Sequence, residues 1–287
     1  MNKYRLTSSA FERKDPFKDP LRVIFLSVEG TTTEIDYFKR IHEFREELGI
    51  AASLTIETLN KGDTNSDPLN VLELLEEYVD LRDKKVPKEL MDIKAIAEKY
   101  PEQFITAYLQ NPETLEKRKR KEFSDDLRLI SYDIAYRKYL SEVGNSANDV
   151  FGIVIDCEGK NAADRKIKVS KALSHCNEMG YLCLLSNPCF EFWLLLHLCD
   201  MKDEYANSKQ AIEENVKVSN QHTFVSQMLS QKAHHNKSIT REKFITHYLH
   251  AIDTAITNSQ MYATTSNEIL DNIGTNMPDF FSIARQD

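Results

Sequence analysis

Apolar residues in this chain fall into short continuous runs separated by longer stretches in which they recur every three or four positions. Residues 21–28, built on Val23-Ile24-Phe25-Leu26, read as a buried strand that stops at Glu29-Gly30. A helix follows over about 32–47, with Ile35, Phe38, Ile41 and Phe44 on one face. Residues 51–59 alternate well enough for a second strand. Asp67-Pro68, a capping residue before proline, opens a helix to about Arg82. A third strand, 150–156, ends in Asp156-Cys157-Glu158. The next helix, 161–178, closes on Gly180, where the left-handed cap conformation is accessible. Strand four runs from Tyr181 to Leu185, and Asn187-Pro188 opens a helix through about Cys199. Residues 200–287 read as helices, most clearly over 240–259, where Phe244, Tyr248, Ile252 and Ile256 recur at intervals of four.

Strand alternating with helix predicts an α/β fold: a mainly parallel, four-stranded sheet with right-handed crossovers, flanked by helices. Between strands two and three the pattern changes. Residues 85–147 are helical and highly charged and contain Lys117-Arg118-Lys119-Arg120-Lys121. The domain reading is an irregular segment over 1–20, a core over 21–84 and 148–200, a helical insertion over 85–147, and a helical C-terminal region over 201–287.

Charge and cysteines narrow the classes. A net charge of −8 does not suit a chain that coats nucleic acid unaided. Five scattered cysteines, with no C-x-x-C pair, argue against a disulfide framework and for a reducing, cytoplasmic setting. The polar N-terminus does not read as a signal peptide, and the apolar run Phe192–Cys199 is too short to span a bilayer. Neither a G-x-x-x-x-G-K-[ST] loop nor a G-x-G-x-x-G loop is present, so P-loop ATP hydrolysis is not expected. The histidines lack the spacing of a zinc site.

The candidate chemistry lies in acids at strand ends. Ligands of open α/β sheets sit outside the carboxyl ends of the strands, which would gather Glu29, Asp156 and Glu158 in one crevice. Residues two apart on a strand share a face, placing Asp156 beside Glu158. Clustered carboxylates repel unless neutralised, and Mg²⁺ is the usual partner in phosphoryl chemistry. Each residue also has a plain structural explanation. Strand-end acids can simply take up solvent. Glu34 can close a Thr31-x-x-Glu34 capping box. Asn187 suits an N-cap, Pro188 the first helical position, and Glu191 the helix dipole. His197 reads as a buried, hydrogen-bonded histidine. The basic run 117–121 can grip a phosphate backbone or, beside Glu113, Glu116 and Glu122, form a solvated helix face.

Three strings together resemble the RloB family: Val28-Glu29-Gly30-(x₃)-Glu34, Ile155-Asp156-Cys157-Glu158, and Ser186-Asn187-Pro188-Cys189-Phe190-Glu191-Phe192-Trp193-Leu194-Leu195-Leu196-His197. That family is similar to the Toprim domains of OLD-type nucleases, primases and topoisomerases. The resemblance covers roughly 20–84 and 148–260 and implies a Toprim-like (Rossmann-like) sheet. It implies that Glu29, Asp156 and Glu158 bind Mg²⁺ or Mn²⁺, with Glu158 standing where Toprim sites carry a second aspartate. By the same resemblance Glu34 is a second catalytic acid and Lys237 a downstream catalytic lysine, with Lys232 and Lys243 as rivals. From position rather than resemblance, Gly30, Asn187 and Glu191 would support the site; from charge, and outside the matched stretches, Lys117, Arg118, Lys119, Arg120 and Lys121 would contact nucleic acid.

The implied activity is metal-dependent cleavage of nucleic-acid phosphodiesters, RNA (tRNA included) favoured over DNA. The chain would act in anti-phage defence beside an AAA- or ABC-type, RloA-like ATPase, with no membrane association; self-association is left open. The alternative is a non-catalytic effector or sensor subunit of such a system. A primase-like polymerase is disfavoured, because the chain offers no zinc-binding or additional catalytic module.

Overall fold

The computed structural model describes residues 22–59, 67–83, 85–130, 132, 147–158, 163–234 and 238–286. The irregular segment expected over 1–20 lies outside these residues. One sheet runs through the molecule, made of β1 (Arg22–Val28), β2 (Leu54–Leu59), β3 (Val150–Asp156), β4 (Leu182–Asn187) and β5 (Gly274–Thr275) in the order β2-β1-β3-β4-β5. The first four pair in parallel, and β5 pairs antiparallel to β4. The expected count of four is therefore corrected to five. Two residues are too few to show a strand period. Side chains hold β5 in place: Thr275 Oγ1 donates to the Leu185 carbonyl at 2.9 Å, and Asn276 bonds both the Leu185 N–H and the Cys183 carbonyl.

The helices are α1 (Thr33–Glu43), α2 (Pro68–Arg82), α3 (Lys88–Asp92), α4 (Lys94–Lys99), α5 (Glu102–Gln110), α6 (Lys117–Leu129) and α7 (Ala163–Met179). They continue with α8 (Phe190–Leu198), α9 (Lys202–Glu214), α10 (Phe224–Ala233), α11 (Arg241–His247), α12 (Ile252–Ser259), α13 (Ser266–Ile269) and α14 (Met277–Ala284). Asp67 caps α2 as expected, accepting the Leu69 N–H at 3.0 Å. The helix expected over 240–259 is broken: Tyr248 leaves helical geometry at φ −121°, which lets Phe244, Tyr248 and Leu249 all turn inward.

The chain steps from β1 outward to β2, then back across the sheet to β3 and β4. Crossovers of one hand then place α1 on one face and α2 and α7 on the other. The α1 face packs Ile24, Leu26 and Val28 against Tyr37, Phe38 and the whole of α8. Apart from Glu191 and His197 that helix is apolar, and burial on nearly every side is what such a sequence demands. The opposite face packs Val23, Phe25, Ile153 and Ile155 against α2 and α7. Helices α3–α6 build a small core of their own from Leu90, Ile96, Tyr100, Ile105, Phe123 and Leu127. Among the described residues no helix is long and apolar enough to cross a membrane.

Candidate active site

Neighbouring strands β1 and β3 send their following chains in opposite directions, and the crevice opens at their carboxyl ends. Glu29 is the first residue past β1, and its N–H donates to the Val154 carbonyl at 3.1 Å. Asp156 ends β3. Its N–H donates to Glu29 Oε2 at 3.2 Å, so the two strand ends are tied through a carboxylate.

Glu34 is the second residue of α1 and only 7 % exposed. The expected capping box is absent. Thr32 holds the N-cap position and no side chain caps the helix. Glu34 folds over Gly30 instead: a Cβ built on Gly30 would stand 1.8 Å from Glu34 Oε2. A side chain at position 30 would displace the carboxylate from this place. A buried acid prefers the crevice to a solvated cap when neighbouring backbone offers hydrogen bonds, and the amides of Gly30 and Glu34 itself do so here.

The start of α8 also differs from expectation. β4 extends to Asn187, so the helix begins at Phe190 with Cys189 at the N-cap. The cap is supplied from another element: Asp156 Oδ1 accepts the Phe190 N–H at 2.8 Å. Asn187 is not a cap and does not join the acids. Its Nδ2 donates to the Ile269 carbonyl at 2.7 Å, and its Oδ1 is buried without a partner among the described residues. Glu191, second in α8, is half-buried, and its charge bears on both Glu34 and Asp156.

Glu158 departs from the expected alternation. The chain leaves the strand at Cys157, and Glu158 takes a left-handed φ of 60° with its N–H on the Pro188 carbonyl at 2.7 Å. Its side chain is 50 % exposed, so it stands at the rim of the crevice.

A cation missed at the level of sequence completes the crevice. Arg165, third in α7, donates through Nη2 to Glu29 Oε2, and through Nε and Nη2 to the Asp156 carbonyl at 3.0 Å each. Its Nη1 is 3.8 Å from Glu158. The one available signal was positional: a cation in the first turn of a helix opposes the helix dipole and needs a compensating anion.

The acids outweigh this cation. Burial pushes Glu29 up to about 7, with Arg165 restraining the rise. Burial and then the Glu191 charge push Glu34 up to about 8. Asp156 is held well above the usual carboxylate range by burial and then by Glu29, Glu34 and Glu191. Burial likewise raises the Cys157 thiol to about 12, which leaves it inert. Among the described residues no three acidic, histidine or cysteine side chains converge as a ready cation cage.

The remaining candidates lie elsewhere. Lys232 pairs with Glu204, and Lys243 Nζ donates to the Ser238 carbonyl at 3.4 Å, so neither joins the acids. Lys237 lies outside the described residues. His197 is buried as expected. Its Nδ1 donates to the Trp193 carbonyl at 3.0 Å, which leaves Nε2 to accept from the Tyr37 hydroxyl at 3.1 Å. Burial pushes its ring down to about 3, so it is neutral. The basic run forms the first five residues of α6. Lys117, Arg118, Lys119 and Lys121 are exposed, while Arg120 pairs with Glu113 at 3.3 Å.

Residues 24–282 match the family model described as RloB-like protein. No curated protein and no solved structure matches the chain. The match spans both acid-bearing strand ends, the Glu34 turn and the start of α8, and the chain belongs to the RloB-like family.

Proposed function

We propose that this chain is a Toprim-like, Mg²⁺- or Mn²⁺-dependent nuclease, and that it cleaves nucleic-acid phosphodiesters as the effector of an ATPase-partnered anti-phage defence system, RNA being favoured. The observation that carries this reading is the surplus of carboxylates at the β1–β3 switch point: Glu29, Glu34 and Asp156 are all held above their ordinary range there. Such an arrangement destabilises the fold unless a ligand repays it, and shifted acids in a cleft are a functional signature.

The donor set suits a hard divalent cation, since every candidate ligand is a carboxylate oxygen. Glu29, Asp156 and the rim acid Glu158 would hold it, with Glu34 available for a second position. Once bound, a divalent cation supplies an activated water and neutralises charge on the scissile phosphate. The chain's own contributions are positional. Asp156 links the strand end to the α8 N-terminus. Glu191 adds negative charge from the α8 side, and Glu34 does so from the α1 side once it gives up its proton. The exposed cations of α6 would attract the phosphate backbone.

A second reading has two observations in its favour. Glu29 is engaged by Arg165, and no ready cage exists among the described residues, as suits a non-catalytic subunit. Sequencing RNA 5′ and 3′ ends from cells expressing the chain with an ATPase partner separates the two. Discrete new ends that vanish in Glu29→Gln support the nuclease. Unchanged RNA and DNA in every combination favour the non-catalytic subunit.

A further inference from the structure

The crevice already contains a cation, and it belongs to the chain. The Arg165 guanidinium reaches Glu29 from α7 while two of its N–H groups bond the Asp156 carbonyl, so it is fixed on both sides of the β1–β3 seam. The two side chains are 9 % and 7 % exposed, and water screens their attraction little. A carboxylate oxygen has two lone-pair directions. Glu29 Oε2 uses both, one for the Asp156 N–H and one for Arg165 Nη2. In this arrangement that oxygen has nothing left for a metal ion.

We propose that Arg165 is a built-in competitor for the site's divalent cation: it neutralises Glu29 while the crevice holds no metal, and it must release Glu29 Oε2 before that oxygen can join a metal ion. This rests on the metal-dependent reading above. Two effects act in the same direction. The guanidinium occupies a ligand oxygen, and its positive charge repels an incoming cation across a poorly screened distance. A residue that merely braced the fold would behave oppositely, because its loss would loosen the acids and weaken metal binding.

The test is calorimetric titration of Mn²⁺ into the full chain as wild type, Arg165→Gln and Arg165→Lys. Arg165→Gln should bind Mn²⁺ at least about tenfold tighter, given the loss of one nearby positive charge. Arg165→Lys keeps the charge but lacks the forked guanidinium, and should show a smaller gain in the same direction. It also serves alone if the glutamine variant does not fold. Equal or weaker Mn²⁺ binding in the variants, with wild type binding normally, overturns the competition and leaves the metal reading standing. Absence of Mn²⁺ binding in wild type and variants alike overturns both.

Discussion

The seam between β1 and β3 carries an arginine–carboxylate pair at each end, and the two pairs differ in their surroundings. At the amino end, Arg82 pairs with Asp149, the side chains 8 % and 1 % exposed. Asp149 also accepts the Val23 N–H at 2.7 Å, and the Arg82 guanidinium lies 5.4 and 5.2 Å from the ring centres of Phe25 and Phe151. Among the described residues Arg82 meets Asp149 there, and aromatic rings lie over the guanidinium. At the carboxyl end Arg165 pairs with Glu29 at nearly the same burial, but Glu34, Asp156 and Glu191 crowd in as well. The first pair serves the fold. The second has more acids than Arg165 can balance, and a surplus of that kind is what a ligand site needs.

The largest effect expected from this contrast is on activity. Asp156→Asn should lower cleavage at least ~10³-fold without lowering the melting temperature. Asparagine retains an oxygen to accept the Phe190 N–H, so the α8 cap survives and the lost charge is isolated. Cleavage within tenfold of wild type would remove Asp156 from the chemistry.

At the amino end the outcome should be reversed. Asp149→Ala strands a buried guanidinium and an unpaired Val23 N–H, and should cost about 3–5 kcal/mol in denaturant unfolding. Cation binding at the far end of the seam should be unaffected in whatever fraction stays folded. A loss below about 1 kcal/mol would mean that the pair at the amino end does not serve the fold.

Much of the sheet was legible in the sequence because the strands are continuous apolar runs that stop abruptly at acids. β1 and β3 were placed nearly to the residue, and the Asp67-Pro68 start of α2 was local chemistry that tertiary packing did not override. What escaped depends on long-range contact. β5 has two residues and is held by Thr275 and Asn276 bonding a strand some ninety positions away. Asp156 caps a helix 34 residues downstream, a cap no local motif can show, and so Asn187 was assigned that role instead. Arg165 reaches Glu29 across 136 positions. The Thr31-x-x-Glu34 box failed for the converse reason: the local motif is sound, but Glu34 is drawn into the crevice over Gly30.

Glu34 also gives the subtlest test of the surplus. Its carboxyl titrates near 4.5 when exposed and is raised to about 8 in the folded chain, by burial first and the Glu191 charge next. Below pH 4.5 both folded and unfolded chains hold the proton. Between 4.5 and 8 the unfolded chain gives it up while the folded chain retains it. Unfolding then releases a proton, and stability falls as pH rises through that window. Glu34→Gln is neutral throughout, so its advantage over wild type should be near zero at pH 4.5. It should grow to about 1–2 kcal/mol, a few degrees in melting temperature, by pH 8. Saturating Mg²⁺ at pH 8 should shrink that gap, because a bound cation relieves the wild-type acids and finds one fewer in the variant. A difference that stays flat from pH 4.5 to 8 would show that Glu34 does not contribute to the surplus, and the contrast between the two ends of the seam would then rest on Glu29, Asp156 and Glu191 alone.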